Sequence, residues 1–518
     1  MDRRTFLRTG AACTALGPLL VSPGSVLARP RKGGRTSSEA DRLLTVVQRY
    51  ADTLLSEGRD RYGDEDSPLV AAALDRETLR LPTGERLEEL RNLPRSEWGI
   101  RSHDRVLTGA NPMHDQNLYQ VLYALAEITG SDRYRDAADT ILKTFFSTCQ
   151  HPATGLLAWG EHSAWDFRTD TFIDRPEEEE WGHVHEFFRP WVLWERSFAL
   201  APDACRRFAQ GLWEHQIDDP KTGNFSRHAR IDRHEPGRNS EYPRHGGFYI
   251  ATWAHGYEET GEDVFPRAIR TLVEYFNERR SPQSDALPAE SASRSEGRLV
   301  WPHSSLGLAV DLHRHADRMP DPLSRRMKST AQRTDEVFLR LDHRLTEDGW
   351  GFVTACHTDT LEPGDVRGAD RRFTARKWAT GYGDATDARI ALICHLRYQQ
   401  TEDERYRRLI LDTADRYLEG RPDASIPLFP GTLGHVLLLE IAAAEMTGAD
   451  RYRTRAHDLA DFALETFWTG DNPLPRASSH HSHYEAITRA DTLVMALLRL
   501  WEEEQDRDRS LSLRFTDR

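Results

Sequence analysis

Cysteine is scarce in this 518-residue chain, with five in all, and the five form no CxxC pair. That spacing excludes a zinc ribbon and a thioredoxin-like redox motif. Lysine is scarcer still for a chain of this size: only Lys32, Lys143, Lys221, Lys328 and Lys377 occur among 69 basic residues. Arginine therefore carries nearly all the positive charge, and a GC-rich genome or a salt-adapted surface accounts for that bias. Against a net charge of −14 there is no basic stripe, which argues against nucleic acid as a partner. One cleft can still be basic on an acidic protein, so a polyanionic ligand stays open. Apart from the N-terminus, no run approaches the twenty or so apolar residues of a membrane span.

The N-terminus reads as an export signal. Arg3-Arg4-Thr5-Phe6-Leu7 is a twin-arginine pattern, a mild apolar stretch follows to Leu20, and Val26-Leu27-Ala28 offers a cleavage site. Residues 1–28 are expected to be removed, 29–39 to form a disordered linker, and the mature protein to be periplasmic or secreted. Cys149, Cys205, Cys356 and Cys394 remain, and an oxidising compartment leaves both disulfides and buried thiols open.

From Ala40 onward the dominant signal is a helical period. Leu43, Leu44, Val47, Tyr50, Ala51, Leu54 and Leu55 mark one face, and comparable stripes recur to residue 503. A short phrase joins them in pairs: Thr129-Gly130-Ser131-Asp132-Arg133-Tyr134 returns at 260–265, 401–406 and 447–452. Glycine supplies a left-handed helix end, the aspartate a cap for the next helix, and the aromatic its first-turn packing. A hairpin of this kind cannot bury its own apolar face, so neighbours must close a ring. The expected fold is all-α, an (α/α) toroid over 40–505 with short β pieces in its rim loops and a charged, frayed tail at 506–518.

Long polar connections separate the pairs, and three short strings in them carry chemistry: Trp159-Gly160-Glu161-His162, His185-Glu186-Phe187-Phe188 and Phe225-Ser226-Arg227-His228. Two imidazoles and a carboxylate can hold a divalent metal, and an adjacent arginine would face an acidic ligand. Taken singly, each has a plainer reading: loop histidines, a helix-start carboxylate, a surface arginine. His480, His481 and His483 form a rival histidine-rich tract, for which a polar loop before a helix is sufficient explanation.

Residues 116–250 resemble polysaccharide lyase family 2, the periplasmic pectate lyases. The resemblance rests on Gln116-Asn117-Leu118, the Thr-Gly-Ser-Asp-Arg-Tyr hinge, the string 155–162, His185-Glu186, Trp213-Glu214-His215, and Phe225 to His228, with an echo at 484–493. It implies an (α/α)7 barrel, a metal held by His162, Glu186 and His228, and Arg227 as the base of a β-elimination on pectate. The implied metal is manganese, with nickel, cobalt, zinc or calcium as alternatives, and the implied partner is an acidic polysaccharide bound by a monomer. Glu161 stands where the family has glycine, Phe188 where it has lysine, and Ala229 where it has glycine, so pectate is less firmly implied than elimination. Arg238, Arg244, Arg376 and Lys377 are candidates to clamp further uronates, and Trp378 to stack on a sugar ring. The alternatives are a toroidal glycoside hydrolase of uronic-acid oligosaccharides, for which Asp115, Glu161 and Asp384 are candidate carboxylates, a lyase acting on a non-pectic uronan, and a non-catalytic glycan-binding relative.

Overall fold

The computed structural model describes residues 37–173, 184–235, 242–289, 298–364, 373–379, 381, 383–505 and 510–518. The expected signal segment and Arg238 lie outside the described residues. In chain order the helices are α1 (Ser37–Ser56), α2 (Gly84–Arg91), α3 (Arg95–Trp98), α4 (Gln116–Thr129), α5 (Asp132–Thr148), α6 (Trp194–Leu200), α7 (Pro202–Gly211), α8 (Pro243–Thr260), α9 (Val264–Glu278), α10 (Pro302–Ala316), α11 (Leu323–Leu339), α12 (Asp387–Thr401), α13 (Glu404–Tyr417), α14 (Pro430–Thr447), α15 (Asp450–Phe467) and α16 (Ala490–Glu503). Helix α1 begins inside the segment expected as linker.

The even-numbered helices from α4 to α16 form the inner wall. From α8 each packs on the next through α10, α12 and α14 to α16, α16 packs on α4, and short α6 packs on α5 and α8. Each inner helix pairs with the outer helix that follows it, and α1 closes the ring against α16 and α4. Among the described residues six hairpins result, and α16 with α1 makes a seventh pair that closes the ring. Composition sets the two layers apart. Outer helix α9 buries one stripe (Phe265, Ala268, Ile269, Leu272, Val273, Phe276), whereas inner helix α14 is buried on nearly every side from Pro430 to Ala444.

The recurring phrase has a physical basis at each hairpin tip. Gly130, Gly261 and Gly448 take positive φ of 67°, 71° and 70°. The threonine before them donates its hydroxyl to the carbonyl four residues back and accepts the amide two residues on, as in Thr129 with Leu125 and Ser131. The same pair of bonds recurs at Thr260, Thr401 and Thr447. Only Asp403 caps as expected, accepting from the Arg405 amide; Asp132 and Asp450 have slipped into the first helical position. Tyr134, Phe265, Tyr406 and Tyr452 are all buried beneath these tips.

Short tips at one end leave the long connections, and the N-termini of the inner helices, at the other. Proline opens α8, α10 and α14, where its missing amide hydrogen costs nothing. The described strands are two or three residues long and sit in these connections: Ala73–Leu74 pairs with Tyr484–Glu485, Val184–His185 with Ala229–Arg230, Leu299–Val300 with Cys356–His357. Tyr484 and Glu485 are thus strand, not the first turn of the helix expected from 484, and α16 starts at Ala490 after Arg489 at φ 62°.

One expectation is corrected. The tail is not frayed where it is described: Leu511 to Arg518 is drawn into the ring. Its charges find opposite charges there, Asp517 with Arg189 (2.5 Å) and His435 (2.7 Å), and Arg518 with Asp311 (2.6 Å), while Leu511 and Phe515 are buried. Cys149, Cys205, Cys356 and Cys394 are free, buried thiols. No described helix is long and apolar enough to cross a membrane.

Candidate active site

Backbone pairing assembles the site. Gly160 bridges to Glu186 in parallel, and the strand Val184–His185 pairs antiparallel with Ala229–Arg230. Those two ladders bring three strings from distant parts of the chain side by side. Only glycine fits at 160, where φ is 122° and a β-carbon would lie 2.3 Å from the Glu186 carbonyl oxygen. Asn111 donates to the Gly160 carbonyl at 2.7 Å and fixes the bend. Beneath the strings lies an aromatic layer: Trp159 is fully buried against Phe187, Trp191 and Phe208, with ring centroids 5.5, 5.0 and 5.3 Å away. A rigid base of this kind is what a ligand set needs to hold its spacing.

Glu186 is the centre. Its Oε2 lies 3.3 Å from His162 Nε2 and 3.1 Å from His228 Nε2. Its Oε1 accepts from Arg227 Nε at 2.9 Å and lies 3.1 Å from His245 Nε2. The three atoms expected as ligands lie within 4.8 Å of one another. Metal–ligand bonds of about 2.0–2.2 Å put ligand atoms roughly 3.0–3.5 Å apart, so the set fits a small divalent cation with little movement. Two nitrogens and one carboxylate oxygen suit manganese, nickel, cobalt or zinc over calcium, which prefers an all-oxygen cage.

Besides His245, three further residues belong to this cluster and were not singled out as parts of it from sequence. Asp104 is fully buried, with Oδ1 3.2 Å from His162 Nδ1 and Oδ2 2.6 Å from Arg101 Nε. A carboxylate on Nδ1 directs the other ring nitrogen toward the shared point. Arg101 also reaches Glu161 at 3.0 Å, and Glu161 Oε2 lies 3.5 Å from His162 Nε2. The residue that departs from the family's glycine thus stands at the cluster's edge.

Charge distribution follows. Burial works against the Glu186 charge, but Arg227 and His228 outweigh it and hold the carboxyl well below its usual range. Burial lowers His162 too, yet Asp104, Glu186 and Glu161 raise it to about 9. His228 goes the other way, lowered to about 4 chiefly by burial. Glu161 is raised by burial and by the neighbouring Glu186.

The remaining candidates divide. Arg244, at the start of α8, shares the Tyr242 ring with Arg227, whose guanidinium carbons lie 5.6 and 4.8 Å from its centroid. Arg376, Lys377 and Trp378 are engaged elsewhere: Arg376 near Asp384 (3.5 Å), Lys377 donating to the Glu419 carbonyl (3.3 Å), Trp378 edge-on to Tyr417. His480 and His481 bond to the Ala424 carbonyl and the Ser478 hydroxyl, and His483 to Glu485. Among the described residues the metal-sized groups are His162-Glu186-His228 and His103-Asp104-His162, which share one histidine.

Residues 89–260 match the family model described as periplasmic pectate lyase. That segment contains every residue of the cluster. The chain is also similar to a pectate disaccharide-lyase of Dickeya dadantii, 25% identical over 151 residues, which is 29% of this chain and 27% of that one. The chain thus spans about a quarter of that relative's length. Among solved structures it is similar to an unsaturated glucuronyl hydrolase specific for heparin (TM-score 0.45, 10% identity, 89% of this chain and 98% of that one). It is likewise similar to cellobiose 2-epimerase from Bacillus thermoamylovorans (TM-score 0.48, 8% identity, 90% and 100%).

Proposed function

We propose that this chain is an exported, metal-dependent polysaccharide lyase that cleaves a uronate polymer, polygalacturonate first, by β-elimination, working as a monomer. The observation that carries the reading is a single buried carboxylate, Glu186, shared between two imidazoles and the Arg227 guanidinium. The match to the pectate lyase family over 89–260 supports it.

Elimination removes the C5 proton of a 4-linked uronate, forms the C4–C5 double bond and expels the C4 oxygen, which takes a proton from solvent. The C5 proton sits next to a carboxylate and is very weakly acidic while that carboxylate keeps its charge. His162, Glu186 and His228 would hold a divalent cation, which would supply Lewis-acid neutralisation of it. Arg227 is the residue proposed to take the proton. Burial lowers the Arg227 pKa, and Glu186, Tyr242 and Glu161 raise it by more, so the guanidinium stays charged beside the Glu186 carboxylate. Anything that shares the Glu186 charge loosens that hold, which is the change a base role requires. Arg244, beside the same tyrosine, is placed to receive a second carboxylate.

Hydrolase chemistry needs two carboxylates flanking a glycosidic bond. Here Glu161 and Glu186 crowd the same imidazole nitrogen, Asp384 is near Arg376, and Asp115 is buried near Tyr484. The test is incubation with polygalacturonate, ulvan and glucuronan. Unsaturated ends that need metal and vanish in Arg227→Ala support the lyase. Saturated reducing ends would overturn it.

A further inference from the structure

Beyond the metal cluster, the same end of the ring holds arginines without an ion pair among the described residues. Arg244 is the second residue of α8, His303 the second of α10, and Arg389 the third of α12, on three consecutive inner helices. Arg389 is 6% exposed, and its Nε donates to the Asp517 carbonyl at 2.8 Å. Its two terminal nitrogens have no hydrogen-bond partner and no ion pair among the described residues. The Arg244 guanidinium lies over Tyr242 and likewise has no carboxylate partner among the described residues. His303 Nδ1 is buried without a hydrogen-bond partner. Asp517, the acid nearest Arg389, is already committed to Arg189, His435 and Thr492. Burial, then Arg489 and Arg244, press the Arg389 pKa well down, so the three guanidinium groups share one field.

A buried cation without an anion is costly, and proteins keep one where a ligand completes it. The first turns of α8, α10 and α12 add the partial positive ends of three helix dipoles to the same place. A guanidinium's paired N–H groups match a carboxylate in a two-point contact. Arg227 and Arg244 both lie over the Tyr242 ring, and Arg389 and Arg244 both bear electrostatically on His303. We propose that Arg389, with Arg244 and His303, forms a second carboxylate subsite that holds a neighbouring uronate of the chain bound at the metal cluster. The proposal rests on the uronate-lyase reading above, and assigns it a cleft that grips at least two acidic sugars.

Titration calorimetry of the full chain after chelator treatment tests this without turnover. The probes are mono- and trigalacturonate, a carboxyl-reduced trimer, and manganese alone. The wild-type protein binds trigalacturonate without metal, and binds the reduced trimer and the monomer far more weakly. Arg389→Gln weakens the trimer about tenfold, or about 1.4 kcal/mol, and leaves manganese affinity unchanged. Trimer affinity equal to wild type in a folded Arg389→Gln overturns the subsite. Should that variant fail to fold, Arg244→Gln carries the test: the same loss supports the subsite, and wild-type affinity overturns it. A wild-type protein that binds no galacturonate, with or without manganese, sinks the lyase reading itself and is thereby distinguishable from failure of the subsite alone.

Discussion

Replacing Asp104 by asparagine probes how this chain prepares a metal ligand. The Asp104 carboxylate is fully buried, with Oδ1 3.2 Å from His162 Nδ1 and Oδ2 accepting from Arg101 Nε at 2.6 Å, so each oxygen serves a different neighbour. An asparagine has one accepting oxygen; turned toward Arg101 it presents an NH2 group to His162, and turned toward His162 it leaves Arg101 facing that group. Loss of an outer carboxylate behind a ligating histidine lowers metal affinity about 10–100-fold, roughly 1.4–2.7 kcal/mol. A second effect has the opposite sign. His162 is raised to about 9, with Asp104 first among the groups that raise it. Below pH 9, therefore, binding a cation must displace a proton from wild-type His162, at about 1.4 kcal/mol per pH unit. Asparagine relieves part of that competition. The wild-type affinity for manganese accordingly climbs until about pH 9, whereas in Asp104→Asn the climb ends at lower pH, and the full deficit shows only at pH 9. Calorimetry in buffers of different ionisation enthalpy reads affinity and released protons together. Equal affinities of the two proteins at pH 9 would refute the orienting role of Asp104.

Two further predictions concern stability. Glu440 on α14 is fully buried, neither oxygen has a hydrogen-bond partner among the described residues, and burial raises its pKa to about 9. Its folded pKa lies above the unfolded one, so the folded state holds the proton longer and stability falls as pH rises from about 4.5 to about 9, by up to about 1.4 kcal/mol per unit. Glu440→Met is expected to stabilise the protein by several kcal/mol at pH 8 and by much less at pH 5, read from urea midpoints; a pH-independent difference would contradict this. Asp517→Ala leaves Arg189, 2% exposed, without its carboxylate, and is expected to cost about 3–5 kcal/mol in the same assay. A change below 1 kcal/mol would mean the tail is not tied to the ring as described.

The hairpins were legible because each rests on local physics: a 3.6-residue stripe, and a threonine-glycine tip whose bonds close within six residues. The joining of 159–162, 185–188 and 225–228 was not legible from spacing, since two short backbone ladders bring them together and resemblance alone pointed that way. Asp104 was missed because nothing near it in sequence marks it; its meaning comes from His162, 58 positions on. Nothing in the sequence marks Arg389 out in an arginine-rich chain, and only its burial without an ion pair among the described residues sets it apart. The tail misled for a related reason. A run with Arg514, Asp517 and Arg518 looks solvated until Arg189, Asp311 and His435 are found facing it.

The central claim is metal-assisted elimination at the Glu186 cluster. Its most direct measurement is the ultraviolet absorbance of unsaturated ends released from polygalacturonate by the full chain, chelated and then resupplied with manganese, beside Glu186→Gln. The account predicts no product after chelation, recovery with manganese in the wild type, and none in the variant. Product formed at the wild-type rate by Glu186→Gln, or by the chelated protein, would contradict it.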